Sequence, residues 1–291
     1  MRTLGLVAVA LLGAACSSPG AAQEGREPQL TDATLGGTLW VPKGFQVTEY
    51  AKVARGRFMA AGPTGAIYIS QPRDGQIVSL IDSDGDGAAE SQQVVVTGLN
   101  RPHGLVVREG WLYVANTDAL VRVKLDAAGG ASGSPETLAT YSGGDGHWTR
   151  TVIFGADGAI YVSIGSSCNV CVEQRADRAT VMRYDPSGRN GRVFSSGLRN
   201  AVGMAVHPTT GAIWVTQNER DDLTPDHQNL PHEEINILAD GADFGWPYCH
   251  DDREPNPEYN DAGRCQRTLA PALALAAIRL ALAPYSAACA I

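Results

Sequence analysis

The chain has little to offer a nucleic acid. Lys and Arg number 23 against 31 Asp and Glu, a formal charge of −8, whereas a phosphate backbone wants a basic patch. Charged residues are scarce at 19% and aromatics scarcer at 7%, yet 44% of positions are apolar and well spread, which excludes a disordered chain. Long helical periods are lacking, which argues against an α/β layering. Long hydrophobic runs are lacking too. The apolar segment 4–15 is short, and Pro271 and Pro284 leave only twelve residues between them. Neither crosses a bilayer as a helix. What the chain has in plenty is turn chemistry, 33 Gly and 16 Pro in 291 residues. That length suffices for one large domain or two ordinary ones.

Arg2 followed by the apolar run 4–15 reads as an export signal. Cleavage before Cys16 (LLGAAC) leaves a lipoprotein with Cys16 as its lipid anchor, while cleavage after Ala22 releases a soluble protein. Both place the chain outside the cytoplasm, in the periplasm or anchored to the outer membrane, where disulfides persist. Any membrane attachment then runs through a lipid alone. With Cys16 set aside, five cysteines remain. Cys168 and Cys171 form a CNVC pair. Zinc would need a second ligand pair at suitable spacing, and a thioredoxin-like site would need a helix opening at the motif, where a strand at 159–164 precedes it instead. A local disulfide is the better reading. Cys249 and Cys265 flank a polar, Pro-rich loop that they can staple, and Cys289 is left over.

Four segments share one pattern: a short apolar run, a Gly turn, then a strand with an aromatic. They read GPTGAIYIS, VREGWLYVA, GADGAIYVS and HPTTGAIWVT. Their glycines are Gly65, Gly110, Gly158 and Gly211, at intervals of 45, 48 and 53, and the aromatic three residues on is Tyr68, Tyr113, Tyr161 or Trp214. Further strands are expected near 77–81, 120–125, 181–184 and 235–238, with edge strands at 93–96 and 193–195. Units of 40–50 residues holding about four short strands are the signature of an all-β propeller, whose blades must stack to bury both faces. The segment GFQVTEY (44–50) reads as an outer strand closing the ring.

Propeller sites lie in loops at one end of the channel. The richest polar loops here are GGDGHWTR (143–150), GLRNAVG (197–203) and QNERDDLTPD (217–226). Asp82, Asp84 and Asp86 stand at alternate positions before Gly87, the opening of an EF-hand-like calcium loop, although the twelfth position is Gln93 and Glu90 comes early. The competing reading of this DSDGDG run is a hairpin turn.

GGDGHWTRTVIFGADGAIYVSIGSSCNVC, SGLRNAVGMAVHPTTGAIWVTQNERDDL and EEINILADGADFGWPYC, in that order and spacing, resemble the glucose/sorbosone dehydrogenases, closest to the sorbosone-dehydrogenase-like branch with its CNVC-type insertion. The resemblance covers about 45–265. It implies an exported six-bladed quinoprotein propeller that uses pyrroloquinoline quinone (PQQ) and calcium. It implies that His147 is the general base, taking the hydroxyl proton of a sugar or sugar aldehyde hydrate while hydride passes to the quinone. Asp145 would orient that ring. The family's acid directly before the His is Gly146 here, and a second acidic partner is Ser166. Arg199 and Asn200 match the pair that contacts the quinone oxygens. Gln217, Asn218 and Glu219 match the loop whose carbonyls hold the cofactor calcium.

Two function classes follow. One is a PQQ- and calcium-dependent sugar dehydrogenase that passes electrons to an exported acceptor. The other is a non-catalytic propeller that binds a carbohydrate or protein. The expected organisation is a signal at 1–22, a linker at 23–43, an incomplete propeller at 44–265 and an Ala/Leu-rich tail at 266–291. Four repeats fill the region up to Cys249, and only 26 residues follow Cys265. The resembled family needs six blades, so the expectation is a C-terminally truncated or frame-shifted copy.

Overall fold

The computed structural model describes residues 26–32, 37–42, 47–144, 146–223 and 230–275. The chain divides into two compact units, Met1–Tyr50 and Ala51–Ile291. In the first, β1 (Arg26–Asp32) and β2 (Gly37–Pro42) pair antiparallel, from Arg26 opposite Pro42 to Asp32 opposite Gly37. The stretch read as a linker therefore holds a hairpin. Of the expected closing strand 44–50, the described part 47–50 forms no strand, because no neighbouring ladder engages its backbone among the described residues. Cys16, Ala22, Cys289 and the signal lie outside the described residues.

The second unit is the all-β propeller that the repeat implies, with four blades among the described residues. The first blade is β3 (Met59–Ala61), β4 (Ile67–Gln71), β5 (Gln76–Ile81) and β6 (Ser91–Val96). The second is β7 (Leu105–Arg108), β8 (Trp111–Ala115), β9 (Ala119–Lys124) and β10 (Glu136–Thr140). The third is β11 (Val152–Phe154), β12 (Ile160–Ile164), β13 (Thr180–Tyr184) and β14 (Arg192–Ser196). The fourth begins with β15 (Ala201–Val206), β16 (Ile213–Gln217) and β17 (Glu233–Ile237). Two-residue β18 (Ala242–Asp243) adds a parallel fifth strand to the third blade. A loop follows with β19 (Cys249–His250), β20 (Glu254–Pro255) and the single turn α1 (Ala262–Cys265). Finally β21 (Leu273–Leu275) completes the fourth blade against β17, Leu273 opposite Ile235. Ordered strand thus extends into the stretch read as a tail. Its remainder, 276–291, lies outside the described residues.

Each blade is a meander of sequential antiparallel strands, so its pairing needs only short turns. The first strands adjoin in order, β3 beside β7, β7 beside β11 and β11 beside β15. The apolar core lies between consecutive blades, which explains the repeated aromatic. Tyr68 of the first blade packs in a cluster with Leu105, Leu112 and Val123 of the second, and its hydroxyl donates to Gly129 O at 2.8 Å. Tyr113 of the second blade meets Phe154 of the third edge-on at 4.9 Å. Tyr161 of the third packs with Ile213 and Val215 of the fourth. No helix among the described residues is long and apolar enough to cross a membrane.

Candidate functional site

The 143–150 loop joins the second blade to the third, and two buried guanidiniums shape it. Arg150 is fully buried. It donates to the carbonyls of His147 (2.6 Å), Thr149 (2.9 Å) and Ser142 (2.9 Å). Arg178 donates to Gly143 O, and to Gly165 O at 3.2 Å. Gly146 is obligatory here. Its φ is +82°, and a Cβ would stand 2.4 Å from Ser167 O. The acid that the resembled family carries at this position therefore has no room. Asp145 lies outside the described residues.

His147 hangs from Ser166. Its backbone N–H donates to Ser166 O at 3.0 Å. Its Nδ1 lies 3.2 Å from that same carbonyl and 2.8 Å from Ser166 Oγ. The Ser166 hydroxyl spends its own proton on Cys168 O at 2.7 Å. Nδ1 thus faces two acceptors and must carry the ring proton, which leaves the lone pair on Nε2. A hydroxyl and a carbonyl here do the tautomer-setting work of the missing acid, but they supply no negative charge for an imidazolium. Burial, and next the Arg199 guanidinium, accordingly push the His147 pKa down to about 4.

Gly165 brings His147 and Asn200 together: a Cβ on it would stand 2.6 Å from His147 Cβ and 2.7 Å from Asn200 Oδ1. Asn200 is 9% exposed, and its amide makes no hydrogen bond among the described residues. Gly165→Ala should push the two side chains apart. Overpacking of this kind costs roughly 1–3 kcal/mol, to be read from denaturant midpoints. An unchanged midpoint with an unmoved His147 resonance would contradict this packing.

Arg199 is engaged on every donor. Nε donates to Asn169 O at 2.9 Å. Nη1 donates to Asn218 O at 3.1 Å and Glu219 O at 2.6 Å. Nη2 donates to Asn169 Oδ1 at 2.8 Å and reaches Asp221 Oδ2 at 3.4 Å. The carbonyls of Asn218 and Glu219 thus already accept from a cation, each with a second lone pair in reserve. Gln217 sits at the end of β16, opposite Glu234 of β17.

Beneath that loop the Gln217 amide donates to Glu219 Oε1 and, at 3.2 Å, to Glu234 Oε2. Asn236 Nδ2 also donates to Glu234, at 3.0 Å. Both carboxyls are buried. Burial raises the pKa of Glu219 to about 7. Burial and the Glu219 charge raise that of Glu234 well above the ordinary value.

The expected carboxylates of the first blade belong to the turn between β5 and β6. Asp82, Asp84, Asp86 and Glu90 each place a carboxylate oxygen within 4.8 Å of the others. These carboxylates accept backbone N–H groups of the turn, Gly85 to Asp82 at 2.6 Å and Ala88 to Asp86 at 2.8 Å among them. Both disulfides form as expected, Cys168–Cys171 and Cys249–Cys265. His232 and His250 turn their Nδ1 atoms to opposite oxygens of Asp251, at 2.7 and 2.8 Å. Ser166 was legible only as the replacement of an acidic partner, while Gly165, Asn169 and Arg178 escaped sequence reasoning as site-builders because each acts on a loop distant in the chain, and Arg150 because its burial is not readable from sequence. The one other legible signal was the density of Gly and Ser at 163–167, where close approach is common.

The model of the TrAA12-like family matches residues 39–269. A pyrroloquinoline quinone-dependent sugar dehydrogenase of Hypocrea jecorina is 31% identical over 140 residues, covering 39% of this chain and 33% of that protein. The match thus spans a third of that relative's length. The holo form of the pyranose dehydrogenase PQQ domain from Coprinopsis cinerea superposes with a TM-score of 0.68 at 22% identity, over 80% of this chain and 68% of that one. A Trichoderma reesei carbohydrate-active enzyme of family AA12 does so with a TM-score of 0.68 at 22% identity, over 76% and 67%. At these identities the structural likeness is one of fold.

Proposed function

The chain belongs to the TrAA12-like family, and from that premise we propose that it oxidises a sugar or sugar aldehyde of the aldose or sorbosone type, with PQQ and calcium as cofactors. The observation that carries this reading is the Nε2 lone pair of His147, set by Ser166, beside the amide of Asn200, which has no hydrogen-bond partner among the described residues. An amide with no hydrogen bond among the described residues and within reach of solvent can take a polar group, so the residues fit a quinone carbonyl. Asn200 would hold it, and Arg199 would act through its charge, because its donors are spent. The carbonyls of Gln217, Asn218 and Glu219 are the ligands on offer for calcium, a hard cation. PQQ, when bound, supplies a two-electron acceptor and carboxylates of negative charge. His147 Nε2 takes the hydroxyl proton of the substrate, and Ser166 holds the ring as it does so. Negative charge in the site offsets Arg199 and brings the His147 pKa back toward the working range.

The test is reconstitution with PQQ and calcium, followed by dye reduction over a panel of aldoses. Saturable reduction supports the reading, and absence of quinone binding by absorbance ends it. The pH dependence adds a check. In the protein without PQQ His147 is neutral down to about pH 4, so the acid limb of kcat/KM, which reports the loaded enzyme, should lie above that value. An acid limb at pH 4 would show that the cofactor's charge does not reach His147.

A second reading has its own observation. Ser166 offers no charge to an imidazolium and Arg199 has no donor to spare, which suits a propeller that binds a carbohydrate without turnover. Sugar binding with no dye reduction, indifferent to His147→Ala, would select it. The place of action in the proposal is outside the cytoplasm, with an exported electron acceptor. Two disulfides support an oxidising compartment.

A further inference from the structure

The Cys168–Cys171 bridge closes a tight ring beside the site, and Asn169 stands inside it. This one residue ties together three other segments. Its carbonyl accepts from Arg199 Nε at 2.9 Å and from Trp246 Nε1 at 3.3 Å. Its Oδ1 accepts from Arg199 Nη2 at 2.8 Å and from the Asp221 backbone N–H at 2.9 Å. Its Nδ2 donates to Asp221 O at 3.0 Å. Two of the three Arg199 nitrogens are therefore held by Asn169.

That matters because of what Arg199 lacks. Its side chain is 5% exposed, and its ion pair is the 3.4 Å contact with Asp221, whose carboxyl is 72% exposed. Solvent weakens such a pair. Among the described residues its hydrogen bonds go to four neutral oxygens and that one exposed carboxylate, so the neutral oxygens orient the guanidinium, while the buried Glu219 charge acts on it without a hydrogen bond of its own. Removing one such oxygen leaves a buried charged N–H without an acceptor, and the group must turn toward water.

We propose that Asn169 is a positioning residue: it fixes where the Arg199 charge sits relative to the His147 imidazole, and the Cys168–Cys171 bridge keeps the Asn169 carbonyl aimed at that charge. Asn169 touches neither substrate nor cofactor and acts through Arg199. Two perturbations follow. Substituting the side chain removes Oδ1 and spares the carbonyl. Opening the bridge spares Oδ1 and lets the carbonyl turn, but it also frees Cys168 O, the acceptor of Ser166 Oγ, so the Asn169 variants carry the decision. Either way the guanidinium loosens, its effect on His147 weakens, and the imidazole becomes easier to protonate.

The consequence for turnover rests on the proposed function, but the closing experiment does not. The full chain with 15N-labelled histidine is titrated by NMR as wild type, Asn169→Ala, Asn169→Ser and Cys168→Ser/Cys171→Ser. The His147 midpoint should rise measurably above about 4 in each Asn169 variant. His103 is the internal control. Its pKa is pushed down to about 4 by burial and the charges of Arg57 and Arg150, not Arg199, and should stay put. A His147 midpoint unmoved in the folded variants overturns the proposal, as does an equal rise at His103, which would mean general loosening. If Asn169→Ala does not fold, Asn169→Ser decides. A PQQ titration alongside should show about tenfold weaker binding in Asn169→Ala. Failure of the wild type to bind PQQ would sink the proposed function and leave the histidine titration to judge Asn169 alone.

Discussion

His147→Gln should lower turnover on aldoses by about 10²- to 10⁴-fold, the range of a lost general base, while PQQ binding changes little. The expectation follows from the geometry. Gln retains an N–H that can face Ser166 O and Oγ, now shared by His147 Nδ1 at 3.2 and 2.8 Å, but it offers no basic nitrogen where Nε2 stands. The loop itself should hold, because Arg150 grips the backbone carbonyl of residue 147 and not its side chain. The split matters: kcat falls, and the quinone absorbance titration does not move. A variant that keeps its kcat would remove His147 from the mechanism. A variant that loses PQQ would make it a binding residue.

Glu219→Gln should stabilise the protein above neutral pH. The Glu219 carboxyl is raised by burial to about 7 in the folded chain, against about 4.5 when unfolded. The folded state therefore holds the proton more tightly. Its contribution to stability is fully present below pH 4.5 and is lost as pH rises through 7. At 1.36 kcal/mol per pKa unit the loss is on the order of 3 kcal/mol by pH 8. Gln keeps an oxygen for the Gln217 amide and carries no charge to bury, so the variant should gain most of that energy at pH 8 and little at pH 4. His147 and His103 run the other way. Their folded pKa values are lowered, so the stability they allow is present above 6.5 and lost as pH falls toward 4. Urea midpoints of wild type and variant at pH 5 and pH 8 separate the two effects. A variant weaker than the wild type at pH 8 would mean that the Glu219 charge is compensated in the folded state, with Arg199 the nearest candidate.

Much of the architecture was written in short-range pattern. The Gly turns and the aromatics three residues on announced hairpins, and the intervals of 45, 48 and 53 announced blades. That worked because blade pairing is local: β4 finds β5 across a single turn. The strand at 273–275 was not legible, because an Ala/Leu-rich stretch carries no turn or aromatic mark, and only its pairing with β17 makes it a strand. Leu273 stays 49% exposed, so burial left no alternation to read.

The site divides in the same way. The sequence alone determined the kinds of group available: an imidazole in a Gly loop, an Arg-Asn pair, a polar loop after a strand, and two cysteine pairs that could close. Side-chain chemistry is intrinsic to the residue, so these needed no fold. Only the tertiary structure decided what each group can do. Ser166 sets the His147 tautomer from nineteen positions away, and Asn169 holds Arg199 from thirty. Glu219 and Glu234 become hard to ionise because burial strips water from both and the Glu219 charge opposes that of Glu234. Proton affinity, tautomer and donor availability are properties of surroundings, and the stacking of blades assembles those surroundings from loops that are remote in the chain.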